Sequence, residues 1–165
     1  MNTSQYSLLD YRHMFLNGRT PQPHELVGTW RGVNKGVVEL VGLKQFIKEI
    51  RPEPGNVIFG SNIETCQVIP DMVRFNGWQV VRNGDNCEVP VGTSFMIQPP
   101  NGKGCFGHGA LFSYRDGKND LTNPVRLLVD RVVVIDEQHL LGRASAKFGL
   151  VEIPLAYFVL ERISY

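Results

Sequence analysis

The first hydrophobic pattern in the chain has helical spacing. Apolar residues recur every three or four positions before Gly18, a residue type that commonly ends a helix. These residues are Leu8, Leu9, Tyr11, Met14 and Phe15. The pattern predicts one N-terminal helix that starts at Thr3 or Ser4 and ends at Asn17. Residues 19–25 contain two prolines and are expected to form a connector.

Beyond the connector the pattern changes to short apolar runs that turn residues separate. A first strand is predicted around residues 26–32, and a second short helix over residues 43–50, where Phe46, Ile47 and Ile50 approach helical spacing. A strand through Val41 is the alternative in that region. From Asn56 onward, seven runs alternate with segments rich in Asn, Asp, Gly and Pro. The runs cover residues 56–66, 72–82, 91–98, 109–115, 125–136, 139–148 and 153–163.

About eight such strands at regular spacing are typical of an antiparallel meander. A sheet of this size in one small domain usually protects its edges by closing into a barrel. The sequence therefore predicts a mainly β protein, a single antiparallel barrel of about 8–10 strands with a short N-terminal helix and one further short helix. Residues 1–165 form one domain, in which 1–25 are helix and connector and 26–165 are the barrel.

Composition narrows the classes of partner. Lys and Arg number 17 against 16 Asp and Glu, for a net charge of +1, so neither nucleic acid nor a membrane is an expected partner. The three cysteines form no CxxC pair, which argues against a disulfide framework and a zinc site. No basic start followed by an apolar run marks the N-terminus, so a cytoplasmic location is expected. A monomer or homodimer is expected.

The stretch "GTWRG", residues 28–32, places a tryptophan between two glycines on the predicted first strand. A Gly-x-Trp motif on the first strand after a short helix resembles the calycin superfamily, which includes lipocalins, fatty-acid-binding proteins and nitrobindins. Barrels of that superfamily tend to carry an arginine late in the last strand that stacks over the tryptophan, and Arg162 stands there. The resemblance implies a calycin-like barrel that Gly28, Trp30, Gly32 and Arg162 close at one end.

The chain also resembles a bacterial family named for the GXWXG motif, usually followed by a domain of unknown function. The second part of this resemblance lies in residues 126–162, "RLLVDRVVVIDEQHLLGRASAKFGLVEIPLAYFVLER". Members of that family carry an aspartate at the position of Asp130. No activity follows from this resemblance.

Strand alternation indicates which polar groups could reach the interior. In residues 125–136, Arg126, Leu128 and Asp130 share one face and Arg131 lies on the other. If the first face is the inner one, Arg126 and Asp130 form a polar pair in an apolar pocket. If it is the outer one, both are solvated charges.

Other candidate residues come from single positions. His108 lies between two glycines, which would leave its imidazole open to a ligand, although a histidine in a turn that hydrogen-bonds locally is the alternative. Tyr114 and Tyr157 lie on strands that could reach the interior. Arg143, Ser145 and Lys147 are expected on a polar outer face. The expected liners are Phe95, Phe106, Phe112, Leu128, Tyr157 and Val159.

The leading functional expectation is that the barrel encloses a small, largely apolar ligand. No cofactor is expected; haem binding in the manner of nitrobindins is an alternative, for which only His108 could serve as the axial ligand. The histidines share no metal-ligand spacing, so no metal is expected. An enzyme acting on a small aromatic or acidic substrate is a further alternative, although no nucleophile or phosphate-loop motif is present. An interior filled by bulky side chains would instead indicate a structural or interaction module.

Overall fold

The computed structural model describes residues 6–36, 45–53, 57–63, 72–75, 78–81, 91–98, 108–117 and 119–163. Two helices lie near the N-terminus, α1 (Leu8–Asn17) and α2 (Pro23–Leu26), and a short 3-10 helix spans Pro124–Leu127. The strands are β1 (Gly28–Gly36), β2 (Gln45–Glu53), β3 (Val57–Ile63), β4 (Met72–Phe75), β5 (Trp78–Val81), β6 (Val91–Gln98), β7 (Ala110–Ser113), β8 (Leu128–Val134), β9 (His139–Phe148) and β10 (Val151–Arg162).

Eight of these strands form one curled antiparallel sheet, in the order β1-β10-β9-β8-β7-β6-β3-β2. The first strand pairs with β10 on one side and with β2 on the other. Strands β4 and β5 pair only with each other among the described residues, as a two-stranded sheet. The predicted mainly β class and the antiparallel arrangement are confirmed.

Helix α1 covers part of the outer face of the curled sheet. Ser7 forms a capping box with Asp10, so α1 begins at Leu8. The predicted start at Thr3 or Ser4 lies outside the described residues. Tyr11 and Phe15 are its buried residues. They pack in one cluster with β-strand residues Val133, Leu141 and Val159. The amphipathic pattern in the sequence therefore marks a helix that packs against a sheet.

The second predicted helix is wrong where the structure describes it. Residues 45–50 belong to β2, which pairs with β1 on one side and β3 on the other. Two flanking strands give the backbone of this segment its hydrogen bonds, and this tertiary context outweighs a short helical pattern. Residues 37–44, which include Val41, lie outside the described residues. A short helix, α2, occurs instead within the predicted connector.

Glycines and phenylalanines face each other across neighbouring strands of the sheet. The three opposed pairs are Gly32 with Phe46, Gly60 with Phe95, and Gly142 with Phe158. At each glycine an added Cβ would overlap the opposing ring. The missing side chain thus lets each ring lie against the backbone of the next strand. This arrangement places three aromatic rings on the inner face, which we define as the face that carries Trp30 and Lys48.

Candidate functional site

The inner face of the sheet is built mainly of apolar side chains. One cluster includes Trp30, Phe95, Phe112, Val132 and Phe158, with Phe46, Leu128 and Ala144 packed against it. Strand alternation brings these residues to the same side, since they occupy every second position of their strands. A polar or charged group on this face must therefore find its partners there.

Three polar residues meet inside this apolar cluster: Lys48 of β2, Asp130 of β8, and Tyr114, which directly follows β7. We refer to them as the Lys48 cluster. The Lys48 ammonium donates hydrogen bonds to the Tyr114 hydroxyl at 2.8 Å and to Asp130 Oδ2 at 3.0 Å. The Tyr114 hydroxyl donates to the same Asp130 oxygen at 2.8 Å. Lys48 is only 1% exposed, Tyr114 3% and Asp130 4%. The ammonium, the phenol and the carboxylate thus form one buried hydrogen-bonded unit.

Aromatic rings surround the Lys48 ammonium. Its nitrogen lies 4.6 Å from the ring centroid of Phe95 and between 5.2 and 5.8 Å from four others. Those four rings belong to Phe46, Phe112, Tyr114 and Phe158. Cations within about 6 Å of a ring centroid are attracted to the ring face. The rings therefore partly replace the water that a lysine loses on burial.

Burial lowers the pKa of Lys48 below its usual 10.5, because loss of hydration disfavours the charged ammonium. The charge of Asp130 and its hydrogen bond act in the opposite direction and are smaller effects. Lys48 therefore adopts the neutral amine form more readily than a solvated lysine does. A neutral amine beside a carboxylate and a phenol can accept or donate protons and can act as a nucleophile.

One end of the inner face is sealed around Trp30. The guanidinium of Arg162 lies 4.3 Å from the indole centroid. Arg162 also donates hydrogen bonds to the carbonyls of Glu25 at 2.5 Å and Val27 at 3.0 Å, while the indole N–H donates to the carbonyl of Leu26 at 2.8 Å. The stacking of Arg162 over Trp30 that the family resemblance implies is therefore present.

Burial of the inner-face residues decreases toward the opposite end. Trp30 and Leu140 at the sealed end are fully buried, whereas Phe46, Leu128 and Ala144 are half-buried. Ala144 lies opposite Asp130 in the pairing of β8 with β9. Asp130 of the Lys48 cluster thus lies beside a half-buried residue, whereas Lys48 lies opposite Trp30 in the pairing of β1 with β2.

The inner face contains some of the residues that the sequence singled out and not others. Phe95, Phe112, Tyr114, Leu128 and Asp130 all lie there or pack against its cluster. Phe106 lies outside the described residues.

Arg126 does not pair with Asp130. It belongs to the 3-10 helix that precedes β8, where strand alternation no longer applies, and it donates a hydrogen bond to the carbonyl of Asn119 at 3.1 Å. Asp130 pairs with Lys48 instead. The prediction of a polar pair was therefore correct for Asp130 and wrong for its partner, which is Lys48 and not Arg126.

Three further predictions concern the outer face. Tyr157 and Val159 pack against helix α1, so the expectation that they line the interior is wrong. His108 contacts the carbonyl of Gly18 at 2.7 Å and the ring of Phe15 edge-on. This contact spans 90 residues of the chain, so it is not the local hydrogen bond of the alternative interpretation, and it places the imidazole beside α1.

The outer face carries a second buried charged group. Arg131 of β8 makes a two-point contact with Glu152 of β10 at 2.8 and 3.0 Å, and Arg143 of β9 lies 3.8 Å from the same carboxylate. The guanidinium of Arg143 also lies 5.0 Å from the ring centroid of Phe15. Arg143 and Ser145 therefore face outward as expected, but they are buried and not solvated.

Sequence reasoning missed Lys48 because it assigned the surrounding segment to a helix. The signal that could have found it is the alternation of Phe46, Lys48 and Ile50, which places a lysine between two apolar residues on one strand face. A lysine at that position has to be paired or functional, because an isolated buried charge is costly.

Known proteins offer no identification of the site. Neither helix of the described structure is long and apolar enough to span a membrane. Within the described ranges, no group of three or more His, Cys, Asp or Glu side chains could hold a metal ion. The chain matches no protein-family model, and no curated protein is significantly similar to it. Membership of the calycin superfamily or of the GXWXG family therefore stays a prediction from the sequence motifs.

Proposed function

We propose that the curled sheet closes as a calycin-like barrel and that its interior binds a small, largely apolar ligand at the Lys48 cluster. The pairing of β1 with both β2 and β10 supports closure. The observation that carries the functional proposal is the buried Lys48–Asp130 ion pair within a ring of aromatic side chains. No metal or haem is needed for this function.

The ion pair is hard to explain by stability alone. Desolvating two charges costs several kcal/mol per ion, and apolar residues of similar volume are often as stabilising or more so. Here Lys48 and Asp130 lie among phenylalanines that could extend the apolar core without them. Strongly perturbed, buried ionisable groups are concentrated at functional sites. The cluster therefore supports binding or catalysis better than a purely structural role.

The arrangement matches the general form of a small-molecule site. Apolar and aromatic walls bury the body of a ligand, while a few polar groups fix its orientation. The rings of Phe46, Phe95 and Phe158 would contact the body, and Lys48 and Tyr114 would contact its polar group. We expect the ligand to enter at the end where Leu128 and Ala144 are half-buried.

Catalysis on a small aromatic substrate is the second candidate. It is favoured by the shared hydrogen bonds of Lys48, Tyr114 and Asp130, which connect a potential base and a potential acid within about 3 Å. If a turnover activity is found, Asp130→Asn should abolish most of it. An unchanged rate would remove Asp130 from the mechanism.

Native mass spectrometry of the freshly purified protein, compared with its denatured mass, tests the binding proposal. We expect an additional mass that is lost on denaturation, and we expect the neutral dye N-phenyl-1-naphthylamine to bind to protein from which that mass has been removed. A bare protein mass together with no dye binding would contradict the proposal. That result would instead favour a structural or interaction module with a filled interior.

A further inference from the structure

We propose that the ligand carries an aldehyde or ketone and that Lys48 forms an imine with it, held in position by Tyr114 and Asp130. This inference rests on the proposed function, since it requires a ligand in the barrel interior. It depends on the position of the Lys48 amine, which lies between the phenol, the carboxylate and five aromatic rings. It names both the class of ligand and the atom that reacts.

The charges around Lys48 select against an anionic ligand. Asp130 already places a carboxylate 3.0 Å from the ammonium, so a ligand carboxylate would enter next to a negative charge. Like charges at short range in a poorly hydrated site repel each other strongly. A carbonyl compound is neutral, and an apolar body on it would contact the rings of Phe46, Phe95 and Phe158. The site therefore fits a neutral carbonyl ligand better than a fatty acid or an organic anion.

The amine has the properties that a nucleophile needs. Only the neutral form of a lysine attacks a carbonyl carbon, and desolvation in an apolar pocket is an established way to produce that form. Burial lowers the pKa of Lys48, so a larger fraction of this amine is neutral near pH 7 than at an exposed lysine. Lys147, which is half-buried on the outer face, serves as a reference lysine.

The proposed step balances as a condensation. The Lys48 nitrogen attacks the carbonyl carbon, a C–N bond forms, and the carbonyl oxygen receives a proton from the Tyr114 hydroxyl. Asp130 accepts a proton from the nitrogen and supplies it to the leaving hydroxyl, which departs as water. The remaining proton on the nitrogen returns to the Tyr114 oxygen, so both Tyr114 and Asp130 regain their starting forms. The product is a neutral C=N bond between Lys48 and the ligand, and no oxidant or reductant is consumed.

Trapping with benzaldehyde and sodium cyanoborohydride tests this inference directly. Benzaldehyde is a neutral aromatic carbonyl compound, and the borohydride reduces an imine to a stable benzylamine that peptide mapping can locate. We expect the first benzyl group on Lys48. It should exceed the label on Lys147, because a larger fraction of the buried Lys48 amine is neutral. Lys48→Met should remove this adduct, and the matched variant Lys147→Met should retain it.

A parallel measurement separates the imine from the binding proposal. Benzyl alcohol has the same ring but no carbonyl, and its displacement of N-phenyl-1-naphthylamine reports occupancy of the interior alone. Displacement without an excess of adduct on Lys48 would overturn the imine and leave the binding proposal intact. Failure of both displacement and labelling would overturn the two together. Should Lys48→Met not fold, the peptide map of the wild-type protein still decides the question.

Discussion

A lysine ammonium enclosed by aromatic rings is the central feature at the scale of single residues. Lys48 is almost fully buried, and its nitrogen contacts Tyr114 and Asp130. Three glycines make this enclosure possible, because each leaves room for a phenylalanine ring on the neighbouring strand. The three glycines, although they weaken their strands locally, thus create the space in which the Lys48 cluster lies.

The lowered pKa of Lys48 predicts a dependence of stability on pH. The unfolded chain returns this amine to its usual pKa of 10.5. Between the folded pKa and 10.5 the unfolded state binds more protons, so the contribution of Lys48 to the free energy of unfolding rises with pH. We expect the stability of the wild type relative to Lys48→Met to increase with pH through this alkaline window.

Urea unfolding at a series of pH values measures this difference. Groups that do not contact Lys48 cancel in the comparison, and Lys147→Met controls for the loss of a lysine from the outer face. Parallel profiles for wild type and Lys48→Met would show that burial does not shift the titration of Lys48.

At the scale of elements, helix α1 and the outer face of the sheet form a second packed layer. The ring of Phe15 lies against a sheet cluster that includes Val133 and Leu141, and Arg143 lies over the same ring. The helical periodicity predicted this element and its buried face. It could not predict which strands the helix covers, because that depends on the sheet order.

Removing the Phe15 ring should destabilise the protein substantially. We expect Phe15→Ala to lower the free energy of unfolding by about 3–5 kcal/mol, as for other buried phenylalanines. Leu16, the next residue of the helix, is exposed, and Leu16→Ala should change stability by no more than about 0.5 kcal/mol. Chemical unfolding of the two variants checks this, and equal losses would contradict the packing of α1 on the sheet.

The connector before β1 contains an ion pair that predicts an acid-dependent effect. Arg19 hydrogen-bonds the carboxylate of Glu25, and together with the backbone N–H of Gln22 it lowers the pKa of Glu25 from 4.5 to about 2. Because the folded pKa is depressed, the contribution of Glu25 to stability is complete above pH 4.5 and is lost as the pH falls toward 2. Glu25→Gln should therefore destabilise the protein near neutral pH and have a much smaller effect near pH 2.

Thermal unfolding of Glu25→Gln at several pH values measures this effect. In an Arg19→Gln background the same substitution should have a smaller effect, because the main cause of the shift is then absent. Added salt should also weaken it, since the pair lies at the surface. A destabilisation that is constant between pH 2 and pH 7 would contradict the assignment.

At the scale of the whole molecule, strand periodicity and turn residues predicted the mainly β antiparallel class. The alternation in β8 also placed Asp130 on the same face as Leu128 and Val132. The Lys48 cluster as a unit could not be predicted, because its members come from separate strands. Lys48 is 66 residues from Tyr114 and 82 from Asp130 in the chain. Only the order and register of the strands bring them together, and short-range patterns carry no information on either.

The type of barrel and the ligand also lie beyond what local patterns determine. The resemblance of residues 28–32 to a calycin strand stays a prediction from the sequence, and the structure adds the contact of Arg162 with Trp30. Neither observation specifies what the interior binds. That specificity depends on the few polar groups on the inner face, of which the sequence identified Asp130 and Tyr114 but not Lys48.

Titration with N-phenyl-1-naphthylamine, a neutral dye that fluoresces in apolar surroundings, tests the central claim most directly. The decisive comparison is between Ala144→Leu, which adds bulk on the inner face opposite Asp130, and Lys147→Leu, which alters the outer face of the same strand. We predict that one dye binds per chain in the wild type and in Lys147→Leu, and that Ala144→Leu weakens binding at least about tenfold, equivalent to 1.4 kcal/mol. Absence of dye binding to the wild type, or equal binding by both variants, would contradict a ligand site on the inner face of the sheet.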